Sequence, residues 1–168
     1  MAVVTTKSAA ITNRDATPKV LNMARTTGAP LLRSAGLVAV ANGDSIASKL
    51  IVCSIPSNAI VSDVKLTTAD IGTTALADVG IYKNTADGGA VVDADFFGSA
   101  VSLSGGALAK SSVVHEAASA YLYTDMQEPL WQALGLTADP GLIYDVVLTL
   151  TAASDAAGTV LVEVEYTV

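Results

Sequence analysis

Few residues in this sequence could carry out covalent or metal chemistry. His115 is the single histidine and Cys53 the single cysteine. His115-Glu116 would open a zinc-protease helix only with a second histidine at 119, and that position is Ser119. A serine nucleophile needs a base and a tight Gly-x-Ser-x-Gly turn; one histidine and no such turn leave it unactivated. Cys53 lies in the apolar run Leu50 to Ile55 and reads as a core residue, not as an activated thiol. A lone cysteine also excludes an internal disulfide and a cysteine-cluster metal site. Gly105 to Ser111 ends in Lys-Ser as a phosphate loop does, yet Ser104 and Ala109 stand where that loop requires glycine.

Three carboxylate and aromatic constellations remain. Asp93-Ala94-Asp95 begins like a calcium loop, but the ligand pattern fails at Phe97 and Ser104, so a solvated loop is expected. Glu163 and Glu165 share one face of a strand at the spacing of an acid and base pair, and such a ladder reads more simply as the wet face of that strand. Trp131, Tyr121 and Tyr123 could stack on a sugar ring, although the spacing of Leu130, Trp131 and Leu134 favours packing against a sheet. The expectation is a chain that is not an enzyme, with no cofactor and no metal site.

The elements that would carry these residues are strands. In the C-terminal stretch Val160, Val162, Val164, Tyr166 and Val168 alternate with residues that include Glu163, Glu165 and Thr167, a period of two. Ile143 to Ala153 alternates likewise, and with the turn at Ser154 to Gly158 the spacing predicts one long β-hairpin. Further strands are predicted at Leu37 to Ala41, Ile46 to Ile55, Ile60 to Thr68, Leu76 to Lys83, within Ala90 to Leu103, and at Ser111 to His115. Turns are predicted at Asn42-Gly43, Pro56-Ser57-Asn58 and Asn84 to Gly89. One helix is expected over Asp125 to Leu134, from the capping-box spacing of Asp125 and Glu128, Pro129 in a first-turn position and Gly135 at the stop. Roughly eight strands about ten residues apart point to an all-β chain, an antiparallel β-sandwich of jelly-roll type.

Composition narrows the class. The 168 residues suit one domain with a substantial core. Hydrophobic residues make up 51% and charged residues 15%, so the surface must be rich in small side chains, as suits burial against neighbours. Mean hydropathy is +0.51, yet no apolar run approaches the roughly 18 residues of a membrane span, and no secretory signal is visible at the N-terminus. A reduced protein made in the cytoplasm is expected.

Charge is uneven. Residues 1–33 hold Lys7, Arg14, Lys19, Arg25 and Arg33 against Asp15, a formal +4, so with −7 for the whole chain residues 34–168 carry −11. The first 33 residues lack periodicity and contain Asn13, Pro18, Asn22, Gly28 and Pro30, which predicts an extended basic arm preceding a β-sandwich domain over 34–168. Opposite charge would let the arm wrap on its own body or on a neighbouring copy, and Arg14, Lys19, Arg25 and Arg33 are the candidate contacts. Spread cations without aromatic interleaving, above an acidic body, argue against nucleic acid.

The segments Ile11 to Pro18, Asp78 to Phe97 and Pro129 to Pro140 resemble those of small structural proteins of tailed bacteriophages, and from about residue 11 onward the chain is similar to head decoration, or cement, proteins. The resemblance implies a β-sandwich that forms a homo-oligomer, a dimer or trimer, on the outer surface of the virion. There it would clamp the major capsid protein shell, with Arg14, Lys19, Arg25 and Arg33 as candidate capsid or neighbour contacts. A tail or fibre-base component and a carbohydrate-binding β-sandwich module are the alternatives.

Overall fold

A computed structural model describes residues 5–25, 27–104, 106–114 and 120–168. Eight strands carry the fold: β1 (Leu32–Val40), β2 (Lys49–Pro56), β3 (Ile60–Thr68), β4 (Leu76–Lys83), β5 (Val91–Ser102), β6 (Leu108–Ser112), β7 (Ile143–Ala152) and β8 (Gly158–Thr167). They form two four-stranded antiparallel sheets, in the orders β1-β8-β3-β6 and β2-β7-β4-β5. That is the interleaved order of a jelly roll, in which the chain passes repeatedly from one sheet to the other.

The predicted C-terminal hairpin does not form. β7 pairs with β2 and β4 in one sheet, and β8 with β1 and β3 in the other, so the turn after β7 carries the chain across the sandwich. The reason is burial. Each arm carries an apolar face, with Val146, Leu148 and Leu150 in β7 and Val160, Val162 and Val164 in β8, and all six are buried in one core. Central positions in opposite sheets cover both faces, which a bare hairpin would leave to water. Gly43 and Ser154 hold the crossing: Gly43 N donates to the Ser154 carbonyl at 3.1 Å, and Ser154 Oγ donates to the Ala41 carbonyl at 2.7 Å.

Other boundaries moved for local reasons. β1 begins five residues before the predicted Leu37, because Leu32↔Tyr166 and Arg33↔Glu165 pair across to β8. Residues 41–48 form a loop instead of opening a strand at Ile46, closed by Ala41 N donating to Asp44 Oδ2 at 2.8 Å. β6 lies at Leu108–Ser112, short of the predicted Ser111 to His115, and His115 falls outside the described residues. The predicted helix splits in two at Pro129: a 3-10 turn at Asp125–Gln127, then a four-residue helix at Leu130–Ala133. The Asp125 carboxylate does not cap it forward; Oδ2 accepts from Leu122 N at 2.8 Å. Gly135, at φ +74°, follows its end as expected.

A cluster of three rings fills one part of the core. Phe96 and Phe97 lie 5.1 Å apart, and the Tyr121 ring lies 5.4 Å from each. Tyr121 OH donates to the Val61 carbonyl at 2.5 Å, which satisfies the one polar atom that the ring brings into the interior.

Candidate functional site

Residues 5–25 hold more local structure than an extended arm. α1 (Ala9–Asp15) is capped by Ser8, whose Oγ accepts from Ile11 N at 3.4 Å. The chain then folds back: Val20 N donates to the Asn13 carbonyl at 3.2 Å, Asn13 Nδ2 donates to Asn22 Oδ1 at 2.9 Å, and Asn22 Nδ2 donates to the Ala10 carbonyl at 3.1 Å. The result is a hook bonded mainly to itself. α1 buries no side chain, and a gap of about 350 Å³ separates it from Ile60, Met126 and Thr167 of the body. One link to the body is Thr167 Oγ1, which donates to the Arg25 carbonyl at 3.1 Å.

The four candidate cations have different surroundings. Arg14 Nε and Lys7 Nζ each stand 2.8 Å from Asp15, whose carboxyl they hold below the usual range, Arg14 contributing most. Arg33 is paired with Glu163. Arg25 is half-buried beside a groove that also contains Trp131. Lys19 is exposed at the bend of the hook and has no ion pair among the described residues. Each of the four therefore has its own local partners or exposure. Beside Lys19 the structure exposes an apolar tip that charge counting overlooks: Val20 is 52% exposed, Leu21 94% and Met23 63%. The signal was the run Val20-Leu21-Asn22-Met23 inside an otherwise polar arm.

On the outer face of the β1-β8-β3-β6 sheet, Glu163 and Glu165 each have their own cations. Glu163 is 4% exposed, paired with Arg33 and with Lys110, whose Nζ stands 3.5 Å from Oε2 without hydrogen-bond geometry. Glu165 Oε1 lies 2.6 Å from Lys65 Nζ, and this carboxylate foremost raises the Lys65 pKa. Two carboxylates engaged by separate cations are cross-strand ties, not an acid and base couple. Glu163 thus lies on the outer face that the alternation predicts, but its carboxylate is shielded from water beneath Arg33 and Lys110. Along the same face Ala35, Leu37 and Ala39 are exposed, with Leu37 at 66%.

The remaining candidates separate as well. Burial pushes the Cys53 thiol up to about 11, against a smaller opposing effect of Ser34. Asp93 and Asp95 lie within β5, and no group of three or more potential metal ligands occurs among the described residues. Tyr121 is in the core, Tyr123 is 77% exposed, and Trp131 lines the groove beside Arg25, so the three rings do not make one platform.

No family model matches the chain, and no curated protein matches it. Among solved structures, a chain of the "Cyanophage Pam1 capsid asymmetric unit" matches with a TM-score of 0.53 and 21% identity, covering 97% of this chain and 97% of that one. At this identity the likeness concerns the fold, and it extends over the hook as well as the sandwich: the chain has the fold of a protein that forms part of a cyanophage capsid asymmetric unit.

Proposed function

We propose that this chain is a virion structural protein of a tailed bacteriophage, one that decorates and stabilises the head by binding the outside of the major capsid protein shell. The observation that carries the reading is the end-to-end fold likeness to a chain of a cyanophage capsid asymmetric unit. The resemblance of Ile11 to Pro18, Asp78 to Phe97 and Pro129 to Pro140 to small phage structural proteins supports it independently of the fold. The protein is not an enzyme in this reading and uses no cofactor; its partners are the capsid protein and other copies of itself, without nucleic acid or membrane.

The work done is burial of surface. The hook offers Leu21 and Val20 with Lys19 beside them, an apolar contact with a charge at its rim. The Arg25 carbonyl and the Arg33 guanidinium tie the hook and the first strand to the body, and Arg14 pairs with its neighbour Asp15 at the end of α1. Each contact is small, and repetition around the particle makes the sum persistent.

The test is the copy number of the chain in purified particles, by quantitative mass spectrometry against the most abundant shell protein. A number comparable with the shell protein supports decoration. A few copies per particle would move it to the tail or fibre base, and absence would discard the structural role.

A further inference from the structure

A groove of about 670 Å³ lies between the hook and the segment that follows the 3-10 turn at Asp125–Gln127. Met23 and Arg25 line it from the hook, and Gln127, Glu128, Pro129, Trp131, Gln132 and Asp139 line it from the body. We propose that this groove is a saccharide-binding site that takes a neutral sugar residue against the Trp131 ring, with its hydroxyls held by Arg25, Gln127, Glu128, Gln132 and Asp139.

Three features carry the proposal. The first is the mixture of groups. A sugar has an apolar C–H face and a rim of hydroxyls that both donate and accept, and the groove pairs an indole with two amides, two carboxylates and a guanidinium. The amides, carboxylates and guanidinium each offer at least two polar atoms side by side, a match for neighbouring hydroxyls. The second is charge: Arg25 against Glu128 and Asp139 leaves a net −1, which disfavours phosphates and anionic polymers. The third is rigidity. Trp131 N donates to the Ser57 carbonyl at 2.9 Å and Leu130 N to the Ala59 carbonyl at 2.7 Å, which fixes the helix carrying the indole to the turn between β2 and β3. Ser57 Oγ donates to Asp139 Oδ1 at 2.5 Å and Gly141 N to the same atom at 2.9 Å, so the carboxylate is oriented before any ligand arrives. The volume lies within the roughly 300–1,000 Å³ of small-ligand sites.

The proposal stands apart from the particle reading, since a decoration protein and a free module could both carry such a groove. Trp131 is the single tryptophan, so emission excited at the red edge of the indole band, where the five tyrosines do not absorb, reports on the groove. The full-length protein is titrated with tetramers of glucose, mannose, galactose and N-acetylglucosamine. One of them is expected to shift the emission saturably, with half-saturation at about 1 mM or below. Gln127→Ala and Gln132→Ala, both at exposed positions, are each expected to weaken that binding about fivefold with Tm unchanged. The proposal is overturned if no tetramer gives a saturable response up to about 20 mM, or if the response survives the double Gln127→Ala, Gln132→Ala substitution unaltered. A proline-rich peptide that saturates the signal where the sugars do not would overturn it equally.

Discussion

The backbone of Gly36 in β1 lies against the Val52 carbonyl of β2: a Cβ at Gly36 would sit 1.8 Å from that oxygen. The two strands belong to different sheets and are the outer strands on the same side of the sandwich. Ser34 Oγ donates to the Ser54 carbonyl at 2.7 Å along the same seam, so the sandwich is closed there backbone to backbone. Gly36→Ala must force the two edges apart and is expected to destabilise the fold by about 3 kcal/mol, measured by urea unfolding. A loss under about 0.5 kcal/mol would mean that the seam is loose in solution.

Tyr121→Phe keeps the ring in its cluster with Phe96 and Phe97 but leaves the Val61 carbonyl without its hydroxyl donor. The expected loss is about 1 to 2 kcal/mol. Tyr121→Ala should cost about 3 to 5 kcal/mol, because it also opens a cavity. Chemical denaturation of both variants separates the two contributions.

The Asp155 carboxylate accepts from Thr73 N and from Thr73 Oγ1, both at 2.8 Å, and these bonds hold its pKa below the ordinary value, the hydroxyl first. A folded pKa lower than the unfolded one means that the stabilisation is present above about pH 4 and is lost as pH falls through the folded value. Asp155→Asn is therefore expected to lower Tm at pH 7 and to flatten the acid limb of the Tm profile, with the two proteins converging at the lowest pH. Asp145, raised by burial, works in the opposite sense, retaining its proton to higher pH in the folded state. Parallel Tm profiles for wild type and Asp155→Asn would refute the role given to Thr73.

With its pKa raised to about 11, the Cys53 thiol is almost wholly protonated at pH 8. Its alkylation by iodoacetamide in the folded protein should be about a hundredfold slower than in urea, where the thiol returns to about 8.5. Equal rates would place Cys53 outside the core.

Removal of residues 1–25 deletes a hook that buries no side chain of its helix, so Tm is expected to change by no more than about 2 °C. Attachment to particles that lack the protein should be lost, and Leu21→Asp alone should weaken it by about tenfold in a cosedimentation assay. Added salt should weaken attachment only modestly, since Lys19 is one charge and exposed pairs are screened over about 10 Å at 0.1 M. Undiminished attachment of the truncated protein would exclude the hook as the contact.

The strands were legible in the sequence because alternation follows directly from a half-buried pleat, as in Val160, Val162 and Val164. Which strand pairs with which was not legible. The short turn at Ser154 to Gly158 fits a hairpin as readily as a crossing between sheets, and only the need to cover both apolar faces decides between them. Tyr121 could not be assigned from its neighbours, because its partners Phe96 and Phe97 come from a distant strand. The candidate contacts were legible as charges but not as geometry: Arg33 and Glu163 lie 130 residues apart in the chain and meet on one face. Lys19, next to the apolar tip, is the cation that the sequence ranked no higher than the others.

Among the described strands, β4 and β5 alone are neighbours both in the chain and in a sheet, joined by the turn at Asn84 to Gly89. β1, near the N-terminus, has β8 as its ladder partner, and β2 has β7. A nascent chain on the ribosome therefore cannot close its core until the last ten residues of β8 have left the exit tunnel, and its apolar strands stay uncovered until then.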